Sequence, residues 1–100
     1  MPEPVPLRGM AESALLLLYT YVDDMLERRG PHREEHLSRI AAERDAGHLV
    51  VAGAIGDPPT GAAIGFRGVD RAHVERFVAG DPYVRAGLVR EWRVEPWALV

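Results

Sequence analysis

His48-Leu49-Val50-Val51-Ala52-Gly53-Ala54-Ile55-Gly56-Asp57-Pro58-Pro59-Thr60-Gly61-Ala62-Ala63-Ile64-Gly65-Phe66-Arg67 lies at the middle of this 100-residue chain and decides its fold. Two apolar runs, His48 to Ile55 and Ala62 to Arg67, are too short for helices. They flank a break, Gly56 to Gly61, that holds Pro58-Pro59. Apolar runs of this length around a Gly/Pro turn predict two strands joined as a hairpin.

Working outward, the flanks change period. Before the hairpin, His32 to Ala46 sets Leu37, Ile40 and Ala41 at helical spacing, with Glu34, Glu35, Arg39, Glu43 and Arg44 on other faces. It begins after Gly30-Pro31 and stops at Gly47. After the hairpin, Asp70 is a good N-cap for a second helix, whose apolar stripe is Val74, Phe77 and Val78 and whose end is Gly80. Asp81-Pro82 then opens a short turn, since Asp caps and Pro suits the first helical position. The outermost segments are strands again. Ser13 to Val22 is an aliphatic and aromatic run ending at Asp23-Asp24, the pattern of a strand buried on both faces. Leu88 to Trp97 alternates, with Arg90, Trp92 and Val94 on one side and Val89, Glu91, Arg93 and Glu95 on the other, the pattern of a strand with one wet face.

The order β-α-β-β-α-β predicts an α+β, ferredoxin-like fold, a four-stranded antiparallel sheet with both helices on one face. The other face is then uncovered, yet both alternating sets of the first two strands are apolar, so dimerisation through the sheet face is expected. Residues 1–12, which open Met1-Pro2-Glu3-Pro4-Val5-Pro6, read as a flexible Pro-rich tail, and residues 13–100 as one domain.

Composition narrows the chemistry by what is missing. The chain has no Cys, Lys, Asn or Gln, and Ser only at positions 13 and 38. Thiolate nucleophiles, thiolate metal ligands, Schiff bases and a phosphate-loop lysine are therefore excluded. Acid/base work falls to His32, His36, His48, His73, the carboxylates or the tyrosines, with Arg supplying positive charge. A formal net charge of -3 provides no basic field for nucleic acid. The apolar stretch Ala14 to Val22 has no cleavage site after it and is too short to span a bilayer, so no membrane partner is expected and the protein reads as cytoplasmic.

Several motifs together make the chain similar to the YCII-related (YciI-like) family from about Leu15 to Trp97. They are Arg33-Glu34-Glu35-His36-Leu37, Gly47-His48-Leu49-Val50-Val51-Ala52-Gly53, Asp81-Pro82-Tyr83 with Ala86-Gly87, and the closing Pro96-Trp97. The resemblance implies a dimeric ferredoxin-like domain whose active site is a His and Asp pair, carried here by His36 and Asp81. It departs at Ala54, where the family often has proline, and says nothing of the Pro-rich N-terminal extension.

His36 lies about 100° around the helix from Leu37, at the border of the apolar stripe, where it can lean toward the core while one ring nitrogen meets a cavity. An aspartate against the other nitrogen would fix the tautomer and make His36 a proton shuttle. Plainer readings stand beside this one: Asp81 as only a helix cap, His36 as only a packed polar residue. Arg33, one turn earlier, is either a clamp for an anionic or enolate oxygen or a solvated charge. Tyr83 either donates to a substrate or packs beneath the short turn. Trp92 and Trp97 read as packing residues. His48, at a strand start, and His73, in an exposed first helical turn, have no assigned role.

His32-Arg33-Glu34-Glu35-His36 also matches H-x-x-E-H, a zinc pattern of inverted metallopeptidases. It is set aside because His32 follows Pro31 at a frayed helix start and no third ligand is marked. Gly61, Gly65 and Gly68 lack the spacing of a dinucleotide fingerprint. No metal site and no cofactor are expected. Three readings remain: a cofactor-independent lyase or isomerase acting on a small, cyclic or aromatic, oxygenated metabolite; a non-catalytic dimeric module that binds a metabolite or protein; or a purely structural assembly domain, in which His36 and Asp81 would lie far apart. By resemblance the enzyme would be dehydrochlorinase-like or lactone-isomerase-like.

Overall fold

The structure, a computed structural model, describes residues 12–100. The tail read over residues 1–12 lies outside these, except for Glu12, which opens the first strand. The elements are β1 (Glu12–Tyr21), α1 (Met25–Arg28), α2 (Gly30–Asp45), β2 (Leu49–Ile55), β3 (Gly61–Arg67), α3 (Arg71–Gly80), α4 (Pro82–Arg85) and β4 (Val89–Leu99). The strands form one antiparallel sheet in the order β2-β3-β1-β4, so the fold is the expected α+β, ferredoxin-like arrangement.

Register follows from strand pleat. Leu17 lies opposite Ile64 on one side and Val94 on the other, and Tyr19 opposite Ala62 and Trp92. These residues share the helix-covered face, because alternate side chains of a strand point the same way. Against it α3 packs Val74, Phe77 and Val78, and the core closes around Leu17, Ile64 and Phe66, each at most 2 % exposed. The opposite face carries Leu16, Leu18, Val51 and Ile55. On it the Trp97 ring lies so close to Gly65 that an added Cβ would stand 2.5 Å from the ring.

Four expectations needed revision. The charged turn after β1 continues into α1, which seats Met25 in the core at 1 % exposure. Helix α2 begins at Gly30 rather than His32, with Pro31 in its first turn, where its missing N–H costs nothing. A bulge between Thr20 and Tyr21 shifts the β1–β4 register, so Val89 lies beside Tyr21 and packs on the core instead of facing outward with Glu91. The fourth concerns the apolar stripe of α2: Leu37 is 44 % exposed, Ile40 is half-buried, and the one buried residue of the helix is His36.

Candidate functional site

Asp81 occupies the joint between α3 and α4. It ends α3 by donating its backbone N–H to Val78 O at 3.1 Å, and its extended backbone (φ -71°, ψ 123°) makes it the N-cap of α4. As a cap, its Oδ1 accepts the Tyr83 backbone N–H at 2.9 Å. The same carboxylate receives two more donors from distant elements. His36 Nδ1, from α2, lies 2.9 Å from Oδ1 and 3.1 Å from Oδ2, and the Tyr19 hydroxyl, from β1, donates to Oδ2 at 2.8 Å. Asp81 is fully buried and His36 is 6 % exposed.

A carboxylate only accepts, so this network puts a proton on Nδ1, and in the neutral ring Nε2 then carries the lone pair. The ring is held in plane as well. Tyr83 stacks on it at 3.8 Å and 12°, and Tyr21 meets Tyr83 edge-on at 6.1 Å. Orientation of His36 thus comes from a hydrogen bond at one edge and a stacked ring on one face.

His36 also forms part of the wall of a cavity of about 180 Å³ between α2 and the β2–β3 end of the sheet. Arg29, Arg33, Leu37 and Ile40 line it from the helix side; Ala52, Gly53, Ala54, Ala62 and Ile64 line it from the sheet; Tyr21 and Tyr83 complete it. The sheet wall of the cavity is built mainly of small residues, while α2 is held by polar contacts at His36, Arg39 and Glu43 and by the half-buried Ile40. Neither Arg29 nor Arg33, both of which line the cavity, has an ion-pair partner among the described residues.

Burial pushes the hydroxyls of all three tyrosines toward the neutral form. Tyr19 lies far above the ordinary value, through burial and then the adjacent Asp81. Tyr21 is pushed up to about 12 by burial, with Tyr83 and Asp81 adding to it. Tyr83 is raised by burial, against the opposing pull of Arg29 and Arg33. Near neutral pH the site therefore offers tyrosine O–H donors and arginine cations around one imidazole.

Of the residues singled out from sequence, His36 and Asp81 are brought into contact, Tyr83 stacks on His36, and Arg33 reaches the cavity wall. Asp81 both caps α4 and is hydrogen-bonded to His36. Tyr19, Tyr21 and Arg29 were not singled out. The one available signal was Tyr19 within a leucine-rich central strand, because a buried tyrosine hydroxyl needs a partner.

The H-x-x-E-H pattern leaves His32 in the first turn of α2 and His36 committed through Nδ1 to Asp81. A different group forms instead from residues given no role above. Glu43 Oε1 lies 3.0 Å from His48 Nδ1 and 2.8 Å from His73 Nε2, joining the C-terminal part of α2 to the start of β2 and to α3. Burial works against the Glu43 carboxylate, but hydrogen bonds from His73 and His48 outweigh it and hold the group below its usual range. Folding brings His48 and His73 together although 25 residues separate them, which spacing alone did not reveal.

A ferredoxin-like sheet with a hydrogen-bonded, buried His and Asp pair at the wall of a cavity defines a small α+β protein. The chain belongs to the YCII-related domain family, which matches residues 14–98. Among solved structures it is similar to 5-chloro-2-hydroxyhydroquinone dehydrochlorinase from Burkholderia phenoliruptrix AC1100 in complex with 2,5-dihydroxybenzoquinone. The TM-score is 0.72 with 23 % sequence identity, covering 84 % of this chain and 92 % of that one. At this identity the likeness concerns the fold. No curated protein matches the chain. Among the described residues no helix is long and apolar enough to cross a membrane.

Proposed function

We propose that this protein is a cofactor-independent lyase or isomerase acting on a small, single-ring, oxygenated metabolite, with His36 as the proton-transferring group. The observation that carries this is the 2.9 Å contact between His36 Nδ1 and a buried Asp81, with the imidazole at a cavity wall. Asp81 holds the tautomer and would stabilise the imidazolium that forms when Nε2 takes a proton. Arg33, with Arg29, would steady negative charge on a substrate oxygen as the electron pair moves toward it. In an elimination that pair then expels a leaving group; in an isomerisation His36 returns the proton at another carbon of the conjugated system.

Size supports the substrate class. A cavity of about 150 Å³ is enough for a benzene-sized ring, and this one is about 180 Å³. The similar dehydrochlorinase acts on a hydroxylated chlorinated ring, which makes hydroquinones the first substrates to try. We further propose that the protein acts as a cytoplasmic homodimer joined through the sheet face that carries Leu16, Leu18, Val51 and Ile55. Val51 is 58 % and Ile55 44 % exposed in the single chain. Light scattering is expected to give twice the 11.1 kDa chain mass, and a monodisperse particle of one chain mass would contradict it.

A second reading, a non-catalytic module that binds a metabolite or protein, is favoured by the hydrogen-bond network itself, since joining α2 to the sheet is a sufficient structural use for His36 and Asp81. Turnover of a hydroquinone panel by the purified chain and by His36→Ala separates the two. The enzyme reading expects turnover that falls about 100-fold or more in the variant. The module reading expects no turnover by either and an unchanged affinity for the ring.

A further inference from the structure

We infer that Glu43, His48 and His73 form a binding site for one divalent transition-metal ion of the zinc type, separate from the cavity. Two imidazole nitrogens and one carboxylate oxygen are the donors that such ions select. Here the three ligand atoms lie within 4.8 Å of one another. Bonds of about 2.0–2.1 Å in tetrahedral geometry set neighbouring ligand atoms roughly 3.3 Å apart. The Glu43–His48 and Glu43–His73 separations of 3.0 and 2.8 Å need to open by a few tenths of an ångström, and the two histidine nitrogens, within 4.8 Å of each other, come to a like spacing when the ion binds.

Proton accounting also permits it. Without metal, His48 Nδ1 and His73 Nε2 carry the hydrogens that face Glu43. Neither ring's other nitrogen has a partner among the described residues, so each proton can move there through solvent and leave a lone pair for the ion. The side chains are 19 % to 31 % exposed, enough for a water molecule to fill a fourth position. The rings meet edge to face at 4.9 Å, with Phe66 bordering His73 at 6.2 Å; His73 stands on α3, and His48, just before β2, is held by backbone hydrogen bonds with Glu43 and Arg67 at 2.9 and 2.8 Å. Glu43 follows His36 by seven residues, two helical turns or about 10.5 Å along α2, and none of the three ligands lines the cavity.

The test uses the full chain freed of metal with a chelator and titrated calorimetrically with Zn²⁺. One equivalent per chain is expected to bind, with a rise in thermal stability that saturates with the ion. Glu43→Gln keeps an acceptor oxygen for both histidines but removes the charge. It is expected to weaken Zn²⁺ binding by at least about 100-fold, since even outer partners of ligands cost 10–100-fold. His36→Ala is expected to bind Zn²⁺ as the unaltered chain does. Ring resonances of His48 and His73 in the unaltered chain are expected to respond to Zn²⁺, a readout that needs no variant. No stoichiometric uptake, uptake undiminished by Glu43→Gln, uptake abolished by His36→Ala, or a response confined to His32 and His36 would each overturn the assignment.

Discussion

Helices α2 and α3 lie on the same face of one sheet and are held there differently. Helix α3 buries Val74, Phe77 and Val78 at 3 % exposure or less. The longer α2 buries only His36; Leu37 and Ile40 line a cavity between it and the sheet, Ile40 also packing against the core. Hydrophobic contact is non-directional and closes space. Hydrogen bonds fix points and directions, and those of His36, Arg39 and Glu43 tie α2 down while leaving space beside Leu37. Stability thus resides in one helix and the capacity to hold a ligand beneath the other.

Substitutions on the two helices sharpen this contrast. Phe77→Ala should lose about 3–5 kcal/mol of unfolding free energy in urea titration, because a ring packed edge-on against Phe66 leaves a cavity. Asp81→Ala should follow, losing at least about 2 kcal/mol, since it strands the donors of His36, Tyr19 and Tyr83 and removes a helix cap. Tyr19→Phe should cost about 1 kcal/mol, as Asp81 keeps two donors. Leu37→Ala should change stability by no more than about 0.5 kcal/mol while altering ring binding in the cavity. A loss at Leu37 comparable with that at Phe77 would break the contrast, because α2 would then rest on its apolar stripe after all.

The tyrosines add a pH test. Their folded-state values lie above the free value of 10.0, so the folded chain holds more protons than the unfolded one above pH 10. Their contribution is complete below pH 10 and is lost as pH rises through the folded values, about 12 for Tyr21. Thermal unfolding should therefore fall steeply above pH 10, and Tyr19→Phe should flatten that fall. An equal slope in both proteins would mean that Tyr19 ionises freely in the fold.

The sheet and its topology were legible because period-2 and period-3.6 patterns alternate cleanly along the chain, and the Gly56–Gly61 break could be little but a turn. Helix α1 was not legible, since four residues cannot display a helical period. Nor was the exposure of Leu37: spacing tells which residues share a face of α2 but not how far that face stands from the sheet. The meeting of His36 with Asp81 came from motif resemblance, because 45 residues separate them. Tyr19, 62 residues from Asp81, carried no local sign of its partner. Contacts between distant residues that depend on one atom's direction leave no periodic trace, and the candidate site is made of them.

Proton transfer by His36 requires Nδ1 bound to Asp81 and Nε2 free for a ligand, and nitrogen-15 NMR of the imidazole reads this directly. The expected result is a neutral ring protonated at Nδ1, whose Nε2 resonance moves when 2,5-dihydroxybenzoquinone is added. A proton on Nε2 with a bare Nδ1, or an Nε2 resonance indifferent to a ring bound in the cavity, would contradict it.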